Sequence, residues 1–512
     1  MKNILLTIGL FLNLSVIYSQ APTIQWQKCF GGAGNEYAYS IQQTADGGYI
    51  IAGGGSQSTG DITGNHGSID FWIVKLNNVG VIVWQKSLGG TGVEEAEFIQ
   101  ETADGFIIAG KSNSNNGDVT GNHGSNDYWV VKLDNSGVIV WQKSFGGSAS
   151  DVAYSVQQTN DDGYIVFGTS SSIDGDITGG HSGFDCWAIK LDSLGQIVWQ
   201  KSFGGSGNDY GYNIRQTIDG GFVFAGASGS VDGDVTVSNH GGIDFWIVKL
   251  NNLGTIAWQK SLGGTGNEYA FSIEQTSDGG YIVGGASESS DGDLTVNNGN
   301  QDYWVVKLDS LGTIVWQRSL GGAGNEYSSS NVKQTIDGGY ILSVTSESIN
   351  GDITDNHGLN DYWIVKLNNI GAIEWQKTLG GSADDNVYSI EQTTDGGYIV
   401  AGGSGSTDGD ITSGNNGTFD YWIVKLNSIV GLTPYEIKDL VLISPNPSLG
   451  QFQISNLKNG DQIEVYDLTG RLILNKVSRS NSIFIDLSDK VNGIYFFKIY
   501  GSSAYSGKLI KQ

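Results

Sequence analysis

The chain has 512 residues, too many for one ordinary core, so several domains or a repeat architecture are expected. Its 78 glycines follow no Gly-X-Y period, which excludes a collagen, and its four prolines all lie outside residues 23–433, which favours hydrogen-bonded strands there. Residues 21–437 contain 47 acidic and 17 basic side chains, so this region repels phosphates, and nucleic acids and anionic membranes are excluded as partners.

Residues 1–20 have the layout of a secretory signal peptide. Lys2 precedes an apolar stretch from Ile4 to Tyr18, and small or polar residues follow. A membrane anchor is disfavoured because the stretch is short and is interrupted by Asn13 and Ser15. No later segment is apolar enough to span a bilayer, so we expect export to the periplasm and no transmembrane anchor.

Residues 21–430 form seven repeats of 57 to 59 residues, which two tryptophan series mark. The first series stands in a Trp-Gln-Lys or Trp-Gln-Arg phrase: Trp26, Trp84, Trp141, Trp199, Trp258, Trp316 and Trp375. The second precedes a Val/Ile-Lys-Leu phrase: Trp72, Trp129, Trp187, Trp246, Trp304, Trp363 and Trp422. A fixed period of this length indicates a propeller, a solenoid or an array.

Each repeat contains four strand patterns separated by turn residues. In the first repeat they are Glu36–Thr44, Tyr49–Gly54, Phe71–Leu76 and Val81–Leu88, and Asp46-Gly47-Gly48 predicts a tight hairpin between the first two. Antiparallel four-stranded units repeated in this way are typical of propeller blades. The sequence therefore predicts an all-β fold whose main part is a seven-bladed β-propeller. Its repeats resemble the long-period repeats of secreted bacterial β-propeller proteins, and they lack the signature pairs of WD40 units.

The two ends of the repeat array complement each other. The first Trp-Gln-Lys strand, at Ile24–Phe30, has no Trp-Ile-Val-Lys-Leu strand before it, and the last such strand, at Trp422–Leu426, has no Trp-Gln-Lys strand after it. An open stack would need capping units instead. We therefore expect the N-terminal strand to complete the last blade by pairing with Tyr421–Leu426.

An acidic, glycine-rich loop joins the second and third strands of every repeat. It carries one aspartate in a Gly-Asp-X-Thr phrase and another two residues before the tryptophan. The seven pairs are Asp61 and Asp70, Asp118 and Asp127, Asp176 and Asp185, Asp234 and Asp244, Asp293 and Asp302, Asp352 and Asp361, and Asp410 and Asp420. We favour a structural latch, in which the two carboxylates bracket the loop and accept its backbone N–H groups. Calcium bound by the same carboxylates is the alternative, although the spacing is not that of an EF-hand.

The remaining candidate ligands favour structural roles. All five histidines lie in these loops, at His66, His123, His181, His240 and His357, and the two other repeats have Asn-Asn-Gly there, so we interpret them as turn formers. The repeated lysines are expected to extend their ammonium groups to solvent or to pair with neighbouring acids, and a cationic ring that binds anions is disfavoured. Cys29 and Cys186 occupy positions where other repeats carry Ser, Thr, Phe or Tyr, which favours core packing and gives no indication of a disulfide.

After a predicted linker at residues 431–441, residues 442–512 resemble the type A C-terminal sorting domain of the type IX secretion system. The resemblance lies in four ordered phrases, SPNPSLGQFQIS, IEVYDLTGRLI, IDLSDKVNGIYFFKI and GKLIKQ. Its motif residues here are Pro445, Asn446, Pro447, Gly450, Tyr466, Asp467, Gly470, Arg471, Gly493, Tyr495 and Lys508. The strand pattern predicts a small Ig-like β-sandwich. The resemblance implies type IX secretion machinery as a partner, passage across the outer membrane, and release or attachment at the surface of a Gram-negative cell.

The sequence shows no catalytic constellation. Few positions depart from the repeat, chiefly Val93–Phe98, Phe167 and Ile341–Ser346, together with the extra bases Lys111, Arg215 and Lys333, and none of them predicts an acid, a base and a nucleophile together. We therefore expect a non-enzymatic binding or adhesion scaffold, without a cofactor, for an unknown glycan or protein ligand. The alternative is a glycan-active hydrolase or lyase, which asymmetric polar residues converging on the central channel would favour, and the sequence predicts no such convergence.

Overall fold

A computed structural model of the chain describes residues 20–327, 331–412, 414–428, 442–444, 448–455, 457–500 and 505–512. All regular elements of these residues are β-strands, so the predicted all-β class is confirmed. The chain divides into two compact units, Met1–Ile429 and Val430–Gln512. The predicted signal peptide, the predicted linker and the Pro445-Asn446-Pro447 motif lie outside the described residues, apart from Gln20.

The repeats form seven antiparallel sheets, which we call blades and number along the chain. Blade 1 consists of β2 (Tyr37–Gln43), β3 (Tyr49–Gly55), β4 (Asp70–Leu76) and β5 (Ile82–Leu88). Blade 2 consists of β6 (Glu94–Thr102), β7 (Gly105–Ser112), β8 (Asp127–Asp134) and β9 (Ile139–Phe145). Blade 3 consists of β10 (Asp151–Gln158), β11 (Tyr164–Ser170), β12 (Asp185–Leu191) and β13 (Ile197–Phe203).

The later blades repeat this order. Blade 4 consists of β14 (Asp209–Gln216), β15 (Phe222–Ser228), β16 (Asp244–Leu250) and β17 (Ile256–Leu262). Blade 5 consists of β18 (Glu268–Gln275), β19 (Tyr281–Ser287), β20 (Asp302–Leu308) and β21 (Ile314–Leu320). Blade 6 consists of β22 (Glu326–Tyr327), β23 (Val332–Gln334), β24 (Tyr340–Ser346), β25 (Asp361–Leu367) and β26 (Ile373–Leu379). Blade 7 consists of β27 (Asp385–Gln392), β28 (Tyr398–Ser404), β29 (Asp420–Leu426) and β1 (Ile24–Phe30).

The hairpin between the first two strands of a blade also anchors a buried lysine. Gly47 has a φ of +81°, which a residue with a side chain adopts only at a cost. Asp46 in the same hairpin lies 2.9 Å from Nζ of Lys75, which is buried and also donates to the carbonyl of Leu76. All seven blades have this ion pair, at 2.8 to 3.0 Å. The predicted pairing of these lysines with acids is confirmed.

The third strand of each blade supplies most of the core. Trp72 is fully buried, and its indole Nε1 donates a hydrogen bond to Oε1 of Gln85 on the fourth strand. The same bond occurs in every blade, at 2.7 to 3.0 Å. A buried indole N–H needs an acceptor, and this need explains why a glutamine follows each tryptophan of the first series.

Blade 7 is built from both ends of the repeat array. β1 pairs antiparallel with β29, with Phe30 opposite Tyr421 and Ile24 opposite Leu426, as the sequence predicts. Gln27 of β1 takes the place that Gln85 has in blade 1, accepting a 2.9 Å hydrogen bond from Trp422. The hydroxyl of Tyr421 in turn donates to the carbonyl of Trp72 in blade 1, at 3.0 Å.

The first strands of the blades surround a central channel. β2 contacts β6 of blade 2 on one side and β27 of blade 7 on the other, and β6, β10, β14 and β18 contact one another in turn. Consecutive blades pack face to face through shared apolar clusters. Cys29 and Cys186 are buried in these clusters, where they pack with the apolar side chains.

Residues of the second unit form two small sheets. One contains β30 (Leu442–Ser444), β31 (Gln451–Ser455) and β34 (Ser482–Asp486). The other contains β32 (Gln462–Tyr466), β33 (Leu472–Val477), β35 (Gly493–Tyr500) and β36 (Tyr505–Lys511). Alternate residues of both sheets, including Phe452, Val465 and Phe497, meet in one buried cluster, as in a β-sandwich. Among the described residues, no helix has the length and apolar character that crossing a bilayer requires.

Candidate functional site in the central channel

A β-bulge in the first strand places one side chain from each of six blades in the channel. In blade 1 the pairing register with β3 shifts between Ala38 and Ser40, so Tyr39 is left unpaired. Because a bulge turns the extra residue out of the normal alternation, it re-aims that side chain. The equivalent residues are Tyr39, Glu97, Tyr154, Tyr212, Phe271 and Tyr388. The equivalent part of blade 6, residues 328–330, lies outside the described residues.

These six side chains, which we call the inner ring, line a cavity of about 230 Å³. Tyr388 and Tyr39 pack edge to face, with ring centroids 5.0 Å apart. Tyr154, Tyr212 and Phe271 form a second arc, with centroid distances of 5.6 and 4.7 Å. Such contacts fix aromatic rings and leave other parts of each ring facing the cavity.

Glu97 lies between the two aromatic arcs and is the one carboxyl of the described inner ring. Burial raises the pKa of Glu97 to about 8, and the neighbouring carboxylate of Glu95 acts in the same direction. Lys111 on β7 opposes this shift, but its ammonium lies 2.6 Å from Glu95, with which it pairs. No described residue forms a hydrogen bond or an ion pair with Glu97. Glu97 is half-buried by its exposed area, and a carboxyl enclosed in this way without a partner is costly to ionise, so it favours a cation beside it.

A second aromatic layer lies two residues earlier on the same strands. Tyr37 stacks on Tyr39 with centroids 6.2 Å apart, Tyr210 on Tyr212 at 6.4 Å, and Tyr269 on Phe271 at 6.2 Å. This layer lies nearer the end of the channel where the acidic loops emerge. Three of the inner-ring side chains therefore have a second aromatic ring stacked beside them.

The opposite part of the channel is charged. A cavity of about 180 Å³ there is lined by side chains that include Arg215, Glu274, Lys333 and Glu391. Nζ of Lys333 lies 3.3 Å from Glu391. The guanidinium of Arg215 donates to Oγ of Ser155 at 3.0 Å and lies 4.9 Å from the ring centre of Phe98.

Phe98 lines both cavities and therefore marks their boundary. It replaces the serine that blade 1 has at this position, Ser40, and it reaches Arg215 of blade 4 from blade 2. A cation above an aromatic face is worth about 0.5–2 kcal/mol. This contact joins residues more than a hundred positions apart, and the repeat pattern gives no sign of it.

The expectation that no asymmetric polar residues converge on the channel is wrong. Glu97, Arg215 and Lys333 are departures from the repeat, and the fold brings all three to the channel walls. These residues are visible in the sequence, because Val93–Phe98 and the three extra bases differ from the corresponding positions of the other repeats. Their convergence was missed because it depends on the bulge and on ring packing, which no single repeat encodes.

The aspartate two residues before each core tryptophan holds its own loop. Oδ2 of Asp70 accepts hydrogen bonds from the backbone N–H and from Nδ1 of His66, both at 2.8 Å. The backbone bond recurs in all seven blades at 2.5 to 2.8 Å, with His or Asn as donor. This aspartate therefore has the geometry of the predicted latch, and the histidines lie in the turns and bond to it.

The other aspartate of each loop reaches the preceding blade. The backbone N–H of Asp61 donates to the carbonyl of Gly31, and its carboxylate lies 3.2 Å from the Gly31 N–H. The backbone bond recurs at every junction, at 2.8 to 2.9 Å. Asp61 therefore acts at the junction with the preceding blade and Asp70 within its own loop, whereas the sequence suggested that they bracket one loop together.

Two further carboxylates approach Gly31 at the same junction. A Cβ on Gly31 would lie 2.4 Å from Oδ1 of Asp420 and 2.6 Å from Oε2 of Glu36, so only glycine fits there. Burial raises the pKa of Asp420 to about 6, and the carboxylates of Glu36 and Asp61 act in the same direction. The described residues contain no group of three or more His, Cys, Asp or Glu side chains placed to hold a metal ion. The calcium hypothesis stays a prediction.

Most motif residues of the C-terminal unit lie in described turns and strands. Asp467 accepts hydrogen bonds from the backbone of Thr469 and Arg471 and pairs with the Arg471 guanidinium at 3.1 Å. Gly470 between them has a φ of +83°. Gly450 and Gly493 also have positive φ values. These glycines therefore allow backbone conformations of the sandwich that other residues rarely adopt. Tyr466 and Tyr495 lie on β32 and β35, and Lys508 lies on β36.

Residues 442–512 match the family model described as the secretion system C-terminal sorting domain. This match confirms the resemblance seen in the sequence. The domain indicates export to the cell surface or secretion, and it implies an interaction with the type IX secretion machinery. No curated protein matches the chain in sequence.

Solved structures resemble the chain only distantly. PorZ, an essential bacterial surface component of the type IX secretion system of Porphyromonas gingivalis, is 12% identical with a TM-score of 0.39; the match covers 94% of this chain and 60% of PorZ. A protein of unknown function from Dyadobacter fermentans is 11% identical, with a TM-score of 0.38 and coverages of 79% and 99%. A puromycin hydrolase is 10% identical, with a TM-score of 0.43 and coverages of 84% and 58%. Similarity this low carries no inference about function.

Proposed function

We propose that this protein is an exported, non-enzymatic binding scaffold that takes part of its ligand into the central channel. The inner ring is the observation that supports this most directly. Five aromatic side chains and one carboxyl from six different blades surround one cavity, and each is set there by a bulge. Pockets that are mostly apolar, with a few placed polar groups, are typical of ligand sites.

The size of the cavity limits what enters. At about 230 Å³ it is smaller than the roughly 300–1,000 Å³ of pockets that enclose a whole drug-sized molecule. The ligand is therefore the end of a glycan or a side chain of a protein on a cell or matrix surface. The aromatic layer of Tyr37, Tyr210 and Tyr269 gives a surface for the part that stays outside.

A glycan-active enzyme is the second candidate, and one pair of residues favours it. Glu95 and Glu97 lie two residues apart on β6, one paired with Lys111 and the other with its pKa raised to about 8. Glycosidases use two carboxyl groups in such different environments, so that one is a protonated general acid while the other stays ionised.

Binding and turnover assays on the purified full chain separate the two functions. We expect binding to a glycan array or to cells, no hydrolase or lyase turnover on a broad glycan panel, and a loss of binding in Tyr212→Leu. Phe484→Leu, which changes an exposed aromatic residue of the C-terminal unit, serves as the matched control. Turnover that disappears in Glu97→Gln would establish the enzyme, and binding unchanged by Tyr212→Leu would place the ligand elsewhere.

A further inference from the structure

We propose that the inner ring binds the ammonium head group of its ligand, with Glu97 as the counter-ion and the tyrosine rings as the walls. This inference rests on the proposed binding function and names the chemical class of the ligand. It concerns the cavity lined by Tyr39, Glu97, Tyr154, Tyr212, Phe271 and Tyr388.

The aromatic walls suit a cation. The face of a tyrosine or phenylalanine ring carries partial negative charge, and a cation within about 6 Å of it gains about 0.5–2 kcal/mol. Two arcs of such rings stand on either side of Glu97, with neighbouring centroids 4.7 to 5.6 Å apart. Alkylammonium groups combine a positive charge with an apolar surface, and both properties match these walls.

The carboxyl makes the site selective for charge. No described residue pairs with Glu97, and Lys111, the base that acts on its pKa, is held by Glu95 at 2.6 Å. An entering ammonium group would supply the missing partner inside the channel, where the low dielectric strengthens the interaction. An anion would meet Glu95, Glu97 and an acidic protein and is disfavoured.

A neutral sugar fits these residues less well. Sugar recognition relies on several convergent hydrogen-bond donors and acceptors around the hydroxyl groups. In the inner ring the polar groups are one carboxyl and tyrosine hydroxyls, and Phe271 offers none. The channel amides Asn213 and Asn331 line only part of the wall.

Protonation of Glu97 gives the site a pH dependence. The charged groups facing it are Glu95 on its own strand and Lys111 on β7, with the tyrosine hydroxyls of β2, β10 and β27 around them. Since burial raises the pKa of Glu97 to about 8, an ammonium ligand must displace a proton below that pH. We therefore expect affinity to rise between pH 6 and pH 8 and then to level off.

Calorimetric titration of the purified full chain with choline and with its uncharged isostere 3,3-dimethylbutan-1-ol tests the proposal. We expect choline to bind at least tenfold more tightly than the isostere at pH 8.5, and at least tenfold more tightly there than at pH 6. Glu97→Gln should abolish both differences, whereas Asp489→Asn, which removes one exposed carboxylate of the C-terminal unit, should keep them. Tyr212→Leu should weaken choline binding about three- to tenfold, in line with the loss of one aromatic wall.

Equal binding of choline and the isostere would overturn the ammonium assignment, as would choline binding that Glu97→Gln leaves intact. The array and cell-binding assays run in parallel separate this failure from failure of the proposed function. If choline does not bind but surface binding is lost in Tyr212→Leu, the channel is a ligand site of another chemistry. If neither the probe nor any surface binds, both proposals are wrong.

Discussion

Gln27, in the first strand, accepts a 2.9 Å hydrogen bond from the indole of Trp422, 395 residues later in the chain. The equivalent bond in blade 2 joins Trp129 to Gln142 within one continuous repeat. The N-terminal strand therefore makes the contact that a fourth strand makes elsewhere, although it belongs to the opposite end of the repeat array.

This relationship predicts matched effects of two substitutions. Gln27→Leu and Gln142→Leu each leave a buried indole N–H without an acceptor, so each should lower the free energy of unfolding by about 1–3 kcal/mol. Urea denaturation of the two variants and the unchanged protein measures the effect. A cost for Gln142→Leu alone would show that the N-terminal strand does not complete blade 7 in solution.

Asp70→Ala should destabilise the protein by about 1–3 kcal/mol. The substitution removes the acceptor for the backbone N–H and the imidazole of His66, and the loop loses its attachment to β4. Asp355→Ala is the matched control, because Asp355 is an exposed loop aspartate with a long 3.8 Å contact to His357. Equal small losses in both variants would refute the latch.

Chelator distinguishes the latch from the calcium hypothesis. If the fourteen loop aspartates act through hydrogen bonds, the melting temperature should be the same with and without EDTA. Differential scanning calorimetry checks this. A fall of many degrees that millimolar calcium reverses and magnesium does not would favour bound calcium, since weak extracellular sites have Kd values on the order of 10⁻⁴–10⁻³ M.

Glu97→Gln should stabilise the protein at alkaline pH. The pKa of Glu97 is about 8 in the folded protein, against a usual value of 4.5, so the folded state holds a proton that the unfolded state releases. The unchanged protein therefore loses stability relative to the variant as the pH rises from 4.5 to 8, and the difference is constant above that. We expect the variant to be about 1–3 kcal/mol more stable than the unchanged protein at pH 8.5. This difference is smaller than the full pKa shift implies, because water reaches the channel. Denaturation at pH 5 and pH 8.5, with Glu288→Gln as the control, measures this difference in stability. Equal stability of the variant and the unchanged protein at both pH values would contradict the raised pKa of Glu97.

Deletion of residues 431–512 should retain the protein in the periplasm. These residues include the sorting domain at 442–512, which implies recognition by the type IX machinery. Fractionation and immunoblotting of cells that express the full and the truncated chain would show the location. Residues 431–512 fused to a periplasmic carrier protein should be sufficient for export, and normal export of the truncated chain would show that other residues carry the signal.

The sequence alone determined the local structure and the repeat. Strand alternation, the Asp-Gly-Gly hairpins and the two tryptophan series act within one repeat, so they can be read from neighbouring residues. The complementary ends of the array predicted the pairing of β1 with β29, and the four phrases of the C-terminal unit predicted the sorting domain.

Only the tertiary structure decided which distant residues meet. The bulge that turns Glu97 into the channel depends on the pairing of β6 with β7, and the contact of Phe98 with Arg215 depends on packing three blades around one axis. Asp61 likewise bonds to Gly31 of the preceding repeat, because the connection between blades brings them together. Periodicity records what each repeat shares, whereas the channel site is made of residues that differ between repeats, and their convergence is a property of the assembled ring.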